Sequence, residues 1–87
     1  VREDAPFTRM DIVNHLEKSK IQTRSYFSGN ILYHPGYQHI ASKHENLQEE
    51  FPVAHLVTFN SFFLGTYIGI NDEKLEYIEK VLKGFFA

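Results

Sequence analysis

The sequence predicts an α+β domain: a small antiparallel sheet of about three strands, covered on one side by about three helices. Two observations carry that expectation. Amphipathic segments with well-marked starts lie near the beginning and at the end of the chain, and short aromatic or β-branched runs lie between them. The 87 residues, 43% hydrophobic and 15% aromatic, suit a folded domain with one modest core rather than a disordered segment.

The first helix is expected over Phe7–Lys20. Thr8 suits the N-cap, Asp11 stands where a capping box places its acidic partner, and Phe7 and Ile12 occupy the two positions of a hydrophobic staple. Met10, Ile12, Val13 and Leu16 fall on one side, with Arg9, Glu17 and Lys18 elsewhere. "IQTR", Ile21 to Arg24, alternates as a short half-buried strand does, and Val1–Glu3 reads as the tail of an earlier strand. Ser25–Tyr37 is irregular, and Ile40–Glu50 reads as a polar surface loop. Pro52 can open a second helix at its first turn, with Val53, Leu56, Val57 and Asn60 as its inner face. Phe62–Ile68 is the best strand candidate. The last helix starts at Asn71, has Asp72 and Glu73 at its positive end and Lys80 and Lys83 toward its negative end, and repeats apolar residues at Leu75, Ile78, Leu82 and Phe85.

Composition excludes several function classes. Nine basic against eleven acidic residues give a net charge of -2, which leaves no electrostatic footprint for nucleic acid. Cysteine is absent, so there is neither a disulfide framework nor thiolate chemistry. The longest apolar run, "FFLGTYIGI", has nine residues, against about 20 for a membrane span. The opening "VREDAPFTRM" has no apolar signal-peptide region and no initiator methionine. The expectation is therefore a cytoplasmic segment of a longer chain, with no membrane and no nucleic-acid partner.

Catalytic patterns are incomplete. His34, His39 and His44 repeat at intervals of five, which fits neither an i, i+4 ligand pair nor a zinc spacing, so no metal ligands are assigned. No serine stands in a G-x-S-x-G elbow, and no glycine run forms a phosphate loop. Catalytic residues are therefore none. The outstanding stretch is "TRSYFSGNILYHPGY", Thr23 to Tyr37, too polar for a core strand and too aromatic for an idle loop. Arg24 suits phosphate or sugar hydroxyls, and Tyr26 and Phe27 suit stacking on a sugar or base. Gly29 allows close backbone approach, and the Asn30 amide can both donate and accept. The bland alternative is a tight turn held by aromatic packing, with Arg24 in a surface ion pair.

"IQTRSYFSGNILYHPGY" resembles a segment in the small C-terminal domain of DegT-type enzymes, the pyridoxal-phosphate-dependent sugar aminotransferases and dehydratases. "FTRMDIVNHLEKSK" before it, and "EFPVAHLVTFNSFFLGTYIGINDEKLEYIEKVLKGFF" after it, are similar to the family's flanking elements. The "F-x-G-N" form resembles the branch of nucleotide 4-keto-6-deoxyhexose 3-dehydratases of lipopolysaccharide biosynthesis. Tyr67-Ile68-Gly69-Ile70 departs from the family's Tyr-Pro-Gly-Leu, and Ser42–Glu50 matches poorly. The resemblance implies that residues 1–87 are the C-terminal small domain of a longer homodimeric enzyme. Arg24, Tyr26, Phe27, Gly29 and Asn30 then line the nucleotide-sugar side of a cleft. Pyridoxal 5'-phosphate is bound by a large domain outside this segment, so the segment alone has no activity. A sugar aminotransferase of the same family and a free-standing binding module are the alternatives. The nucleotide, CDP or GDP, and the sugar are not encoded in these residues.

Overall fold

The computed structural model describes residues 1–87. Five α-helices, α1 (Arg9–Lys18), α2 (Gln38–Ala41), α3 (Leu47–Glu50), α4 (Pro52–Asn60) and α5 (Asp72–Phe86), accompany one two-stranded sheet, β1 (Thr23–Arg24) with β2 (Phe63–Leu64). Two 3₁₀ turns, Ile31–Tyr33 and Pro35–Tyr37, occupy the stretch read as irregular. The class is α+β as expected, and the strand count is two rather than three.

The third strand fails for a visible reason. Residues after Val1 enter a turn closed by Ala5 N donating to Arg2 O at 3.2 Å. Val1 instead meets the end of α4: its nitrogen donates to Asn60 O at 2.6 Å, and Asn60 Nδ2 donates to Val1 O at 3.2 Å. The segment read as a surface loop, Ile40–Glu50, holds the end of α2 and all of α3, the second capped by Asn46 Oδ1 accepting from Gln48 N and Glu49 N. No helix is long and apolar enough to cross a membrane.

Helix α1 begins with the full capping box, Thr8 and Asp11 bonding each other's backbone. It ends in a Schellman motif: Ile21 N donates to Leu16 O at 2.9 Å and Lys20 N to Glu17 O at 3.0 Å. Lys20 takes the left-handed position at φ 64°, where glycine is usual. The motif turns Ile21 back against Leu16, and these two with Ile12 are the only apolar side chains buried below a tenth of their surface. Phe7, Phe62, Leu64, Ile78, Val81, Leu82 and Phe85 surround them, so the core lies where α1, the sheet and α5 meet. Two polar tethers hold α5 on α1: Tyr77 Oη donates to Ser19 O at 2.7 Å and His15 Nε2 to Val81 O at 3.0 Å.

Met10 and Leu75, read as core-facing, are 56% and 53% exposed. Of the residues read as the inner face of α4, Val53 faces outward and Leu56 is partly exposed. The molecule is a plate of 49 × 31 × 18 Å with a radius of gyration of 16.2 Å. A compact chain of this length has about 12 Å. Spreading thin leaves little interior, which explains a core of three side chains.

Candidate functional site

The exit of β1 is built around one turn. Arg24 ends the strand opposite Phe63 of β2. The chain then reverses over Tyr26–Gly29, closed by Gly29 N donating to Tyr26 O at 3.1 Å. Phe27 sits in this turn at φ 49°, a conformation costing about 1–2 kcal/mol for a residue with a side chain. The strained backbone pushes the ring outward, and Phe27 is 79% exposed. Its ring stacks on Phe63 at 5.9 Å and 28°, and Tyr26 packs edge-on against Phe27 at 5.0 Å. The result is a three-ring wall on the surface beside Arg24.

Arg24 takes part in none of the chain's three ion pairs, which are Arg2–Asp4, His44–Glu50 and Lys83–Glu79. Its exposed guanidinium is therefore not held by a carboxylate, unlike the surface ion pair of the bland alternative. Its charge reaches the Glu17 carboxylate of α1. The Glu17 carboxylate accepts from Thr23 N at 2.7 Å and Thr23 Oγ1 at 2.9 Å. The backbone bond, then the side-chain bond, then the Arg24 charge hold the Glu17 carboxyl below the usual carboxylate range. These bonds fix the start of β1 against α1.

Gly29 and Asn30 are placed differently from the rings. Gly29 takes φ 60°, and a Cβ there would meet Thr58 Oγ1 at 2.6 Å. Asn30 N donates to Thr58 Oγ1 at 2.7 Å, and that hydroxyl donates to Ala54 O at 2.6 Å. Asn30 is only 8% exposed, its Oδ1 accepts from Leu32 N at 3.0 Å, and its Nδ2 is buried without a partner. Gly29 and Asn30 thus seat the loop on α4, while Arg24, Tyr26 and Phe27 face outward. His34 braces the turn from the other side, Nε2 donating to Ser28 O at 2.8 Å.

Three participants were not legible as site residues: Phe63, Thr58 and His34. Phe63 reads as part of a strand, and only the pairing register sets it opposite Arg24. Thr58 looks like an ordinary helix residue, and His34 like one of a histidine series. That series does not converge: His34 is on Ser28, and His44 Nδ1 lies 3.1 Å from Glu50 Oε2. No group of three His, Cys, Asp or Glu side chains is placed to hold a metal.

An open groove of about 880 Å³ lies elsewhere, between Lys20–Gln22 before β1, the Gly65–Ile70 loop and α5. Lys20, Lys74 and Lys80 line it with Glu73 and Glu76. Lys74 Nζ is engaged with Gly69 O at 3.0 Å and with Tyr67. Mixed charge and an engaged lysine do not make a phosphate cradle, so the residues here do not fit pyridoxal phosphate.

Across its full length the chain is 33% identical to a Saccharopolyspora spinosa protein named dTDP-4-dehydro-2,6-dideoxy-D-glucose 3-dehydratase, and covers 18% of that protein. The chain is thus similar to part of a protein named as a sugar 3-dehydratase. It is also 26% identical, again over all 87 residues, to the lipopolysaccharide biosynthesis protein RfbH of Salmonella typhimurium, covering 19% of it. The chain therefore spans about a fifth of the length of these curated relatives. This is the branch to which the "F-x-G-N" resemblance points. No family model matches the chain, and no solved structure matches it significantly.

Proposed function

We propose that this chain is the C-terminal small domain of a longer enzyme that removes the C3 hydroxyl from a nucleotide-linked 4-keto-6-deoxysugar. The observation that carries the reading is the match of the whole chain to a part of each of two sugar-biosynthesis relatives, one of them a named 3-dehydratase. That relative's name specifies a dTDP-linked sugar, beyond the CDP and GDP forms considered from the sequence alone.

Within this reading the chain positions substrate and performs no bond chemistry. Arg24, held by no ion pair, binds a phosphate oxygen or sugar hydroxyl through charge-assisted hydrogen bonds. Tyr26, Phe27 and Phe63 offer faces and edges to the apolar side of a sugar or base ring. Gly29 and Asn30 keep the turn seated on α4 so that Phe27 stays presented. Pyridoxal phosphate, held by the rest of the polypeptide, would supply the electron sink when bound. The enzyme is a cytoplasmic homodimer in this reading.

The test starts from the gene upstream of Val1. An open frame of several hundred residues, expressed whole and supplied with pyridoxal phosphate, an amino donor and a two-electron reductant, should replace the C3 hydroxyl of a CDP-, GDP- or dTDP-linked 4-keto-6-deoxyhexose by hydrogen, the hydroxyl leaving as water. Amination at C4 instead would make it an aminotransferase. A start codon beside Val1 would sink the reading.

A further inference from the structure

Helix α4 carries apolar side chains that the fold covers only in part, Phe59 by the Tyr33 ring at 5.3 Å. Val53 is 73%, Leu56 37% and Phe59 46% exposed. They stand at i, i+3 and i+6, along one side of the helix. Other positions of α4 are engaged: Thr58 holds Asn30, and Arg9 Nη1 from α1 donates to Thr58 O at 3.0 Å. At its Phe59 end the stripe opens into a groove of about 470 Å³ lined by Val1, Ala5, Phe7, Met10 and Asn60 among others. Val1 is fastened at this end by its two hydrogen bonds to Asn60. Any residue preceding Val1 in a longer polypeptide therefore emerges beside the groove.

We propose that the Val53–Leu56–Phe59 stripe and this groove seat the polypeptide that precedes the segment in a protein of the relatives' length. The proposal rests on the reading of the chain as a small domain, and adds which face docks. Three observations favour that occupant. The relatives are more than five times as long as the match, since it covers 18% and 19% of them. Only three apolar side chains are buried, far fewer than a free-standing domain gathers, so more apolar surface waits to be covered. The groove at the end of the stripe lies where a preceding chain arrives. A second copy seated on the same stripe would compete with that arriving chain for Met10 and Phe59.

Hydrogen exchange compares α4 in two settings: the 87-residue chain, and the same residues within the longer polypeptide. Amides of Ala54–Asn60 should exchange at least tenfold more slowly in the longer polypeptide. Val53→Asp, at a side chain that is 73% exposed here, should leave the 87-residue chain's melting temperature unchanged. In the longer polypeptide it should return α4 exchange toward the fast rate. Equal exchange in both settings, with normal dehydration by the longer polypeptide, overturns the docking face and leaves the proposed function standing. A dimer of the 87-residue chain in sedimentation, abolished by Val53→Asp, would assign the stripe to a second copy and also overturn it.

Discussion

A Cβ added to Gly29 would stand 2.6 Å from Thr58 Oγ1, and 3.0 Å from Thr58 Cβ and Cγ2. Gly29 therefore packs against α4 through the absence of a side chain, and its φ of 60° is one that other residues resist. Both features concern the loop that presents Phe27, so the seat and the aromatic wall form one unit.

Gly29→Ala should destabilise the chain by about 2–4 kcal/mol, from a left-handed backbone and a clash that add. Urea titration checks it, and a loss under about 0.5 kcal/mol would show that the loop is not seated on Thr58.

Thr58→Val should cost about 1–3 kcal/mol, because it keeps the shape but leaves Asn30 N without an acceptor. The same variant should speed amide exchange at Asn30 more than at Leu16, whose surroundings are unchanged. Uniform acceleration would place the damage elsewhere.

Lys20 occupies the glycine position of the Schellman motif after α1. Lys20→Gly should stabilise the chain by about 0.5–1 kcal/mol, as the relief of the left-handed strain exceeds the flexibility added to the unfolded state. A lower melting temperature would mean that the lysine stem contributes packing that outweighs the strain.

Glu17 has its carboxyl held low by the two Thr23 bonds, so the folded state favours the ionised form. A lowered pKa contributes stability that is present above the unfolded value of 4.5 and is lost as pH falls through the folded value. Glu79, lowered by the Lys83 hydrogen bond and charge, adds a loss of the same sign in the same acid window. Thermal melts between neutral pH and pH 3 should show Glu17→Gln less acid-sensitive than the parent, with the Glu79 part remaining. Identical slopes would mean that the Thr23 bonds do not persist in solution.

Local chemistry made the ends of the fold legible. Thr8 and Asp11 announce the start of α1, Pro52 opens α4, and Asn71 caps α5 through its side chain accepting from Lys74 N at 3.0 Å. Periodicity failed on α4, where it marks Val53 and Leu56 as apolar but cannot say whether anything covers them. Strand length was overread because aromatic residues in Phe62–Ile68 suit a sheet, while only Phe63 and Leu64 find a partner. At the site, residue type pointed to Arg24, Tyr26 and Phe27. The separate task of Gly29 and Asn30 depends on Thr58, 28 residues from Asn30, and local spacing carries no trace of such a contact.

Arg24 and Phe27 separate binding from stability most sharply. Both are exposed, Arg24 has no ion-pair partner, and Phe27 holds a strained φ of 49°. Arg24→Ala should change the stability of the chain by less than about 0.5 kcal/mol. Phe27→Gly should change it by less than about 1 kcal/mol, since relief of strain offsets the lost ring contacts and the freer unfolded state. In the longer enzyme, each should weaken nucleotide-sugar binding about tenfold or more, a loss of at least about 1.4 kcal/mol. Calorimetric titration of the substrate against parent and variants reads this directly. Unchanged affinity with reduced stability would make the strand exit a structural turn and move the sugar contacts elsewhere.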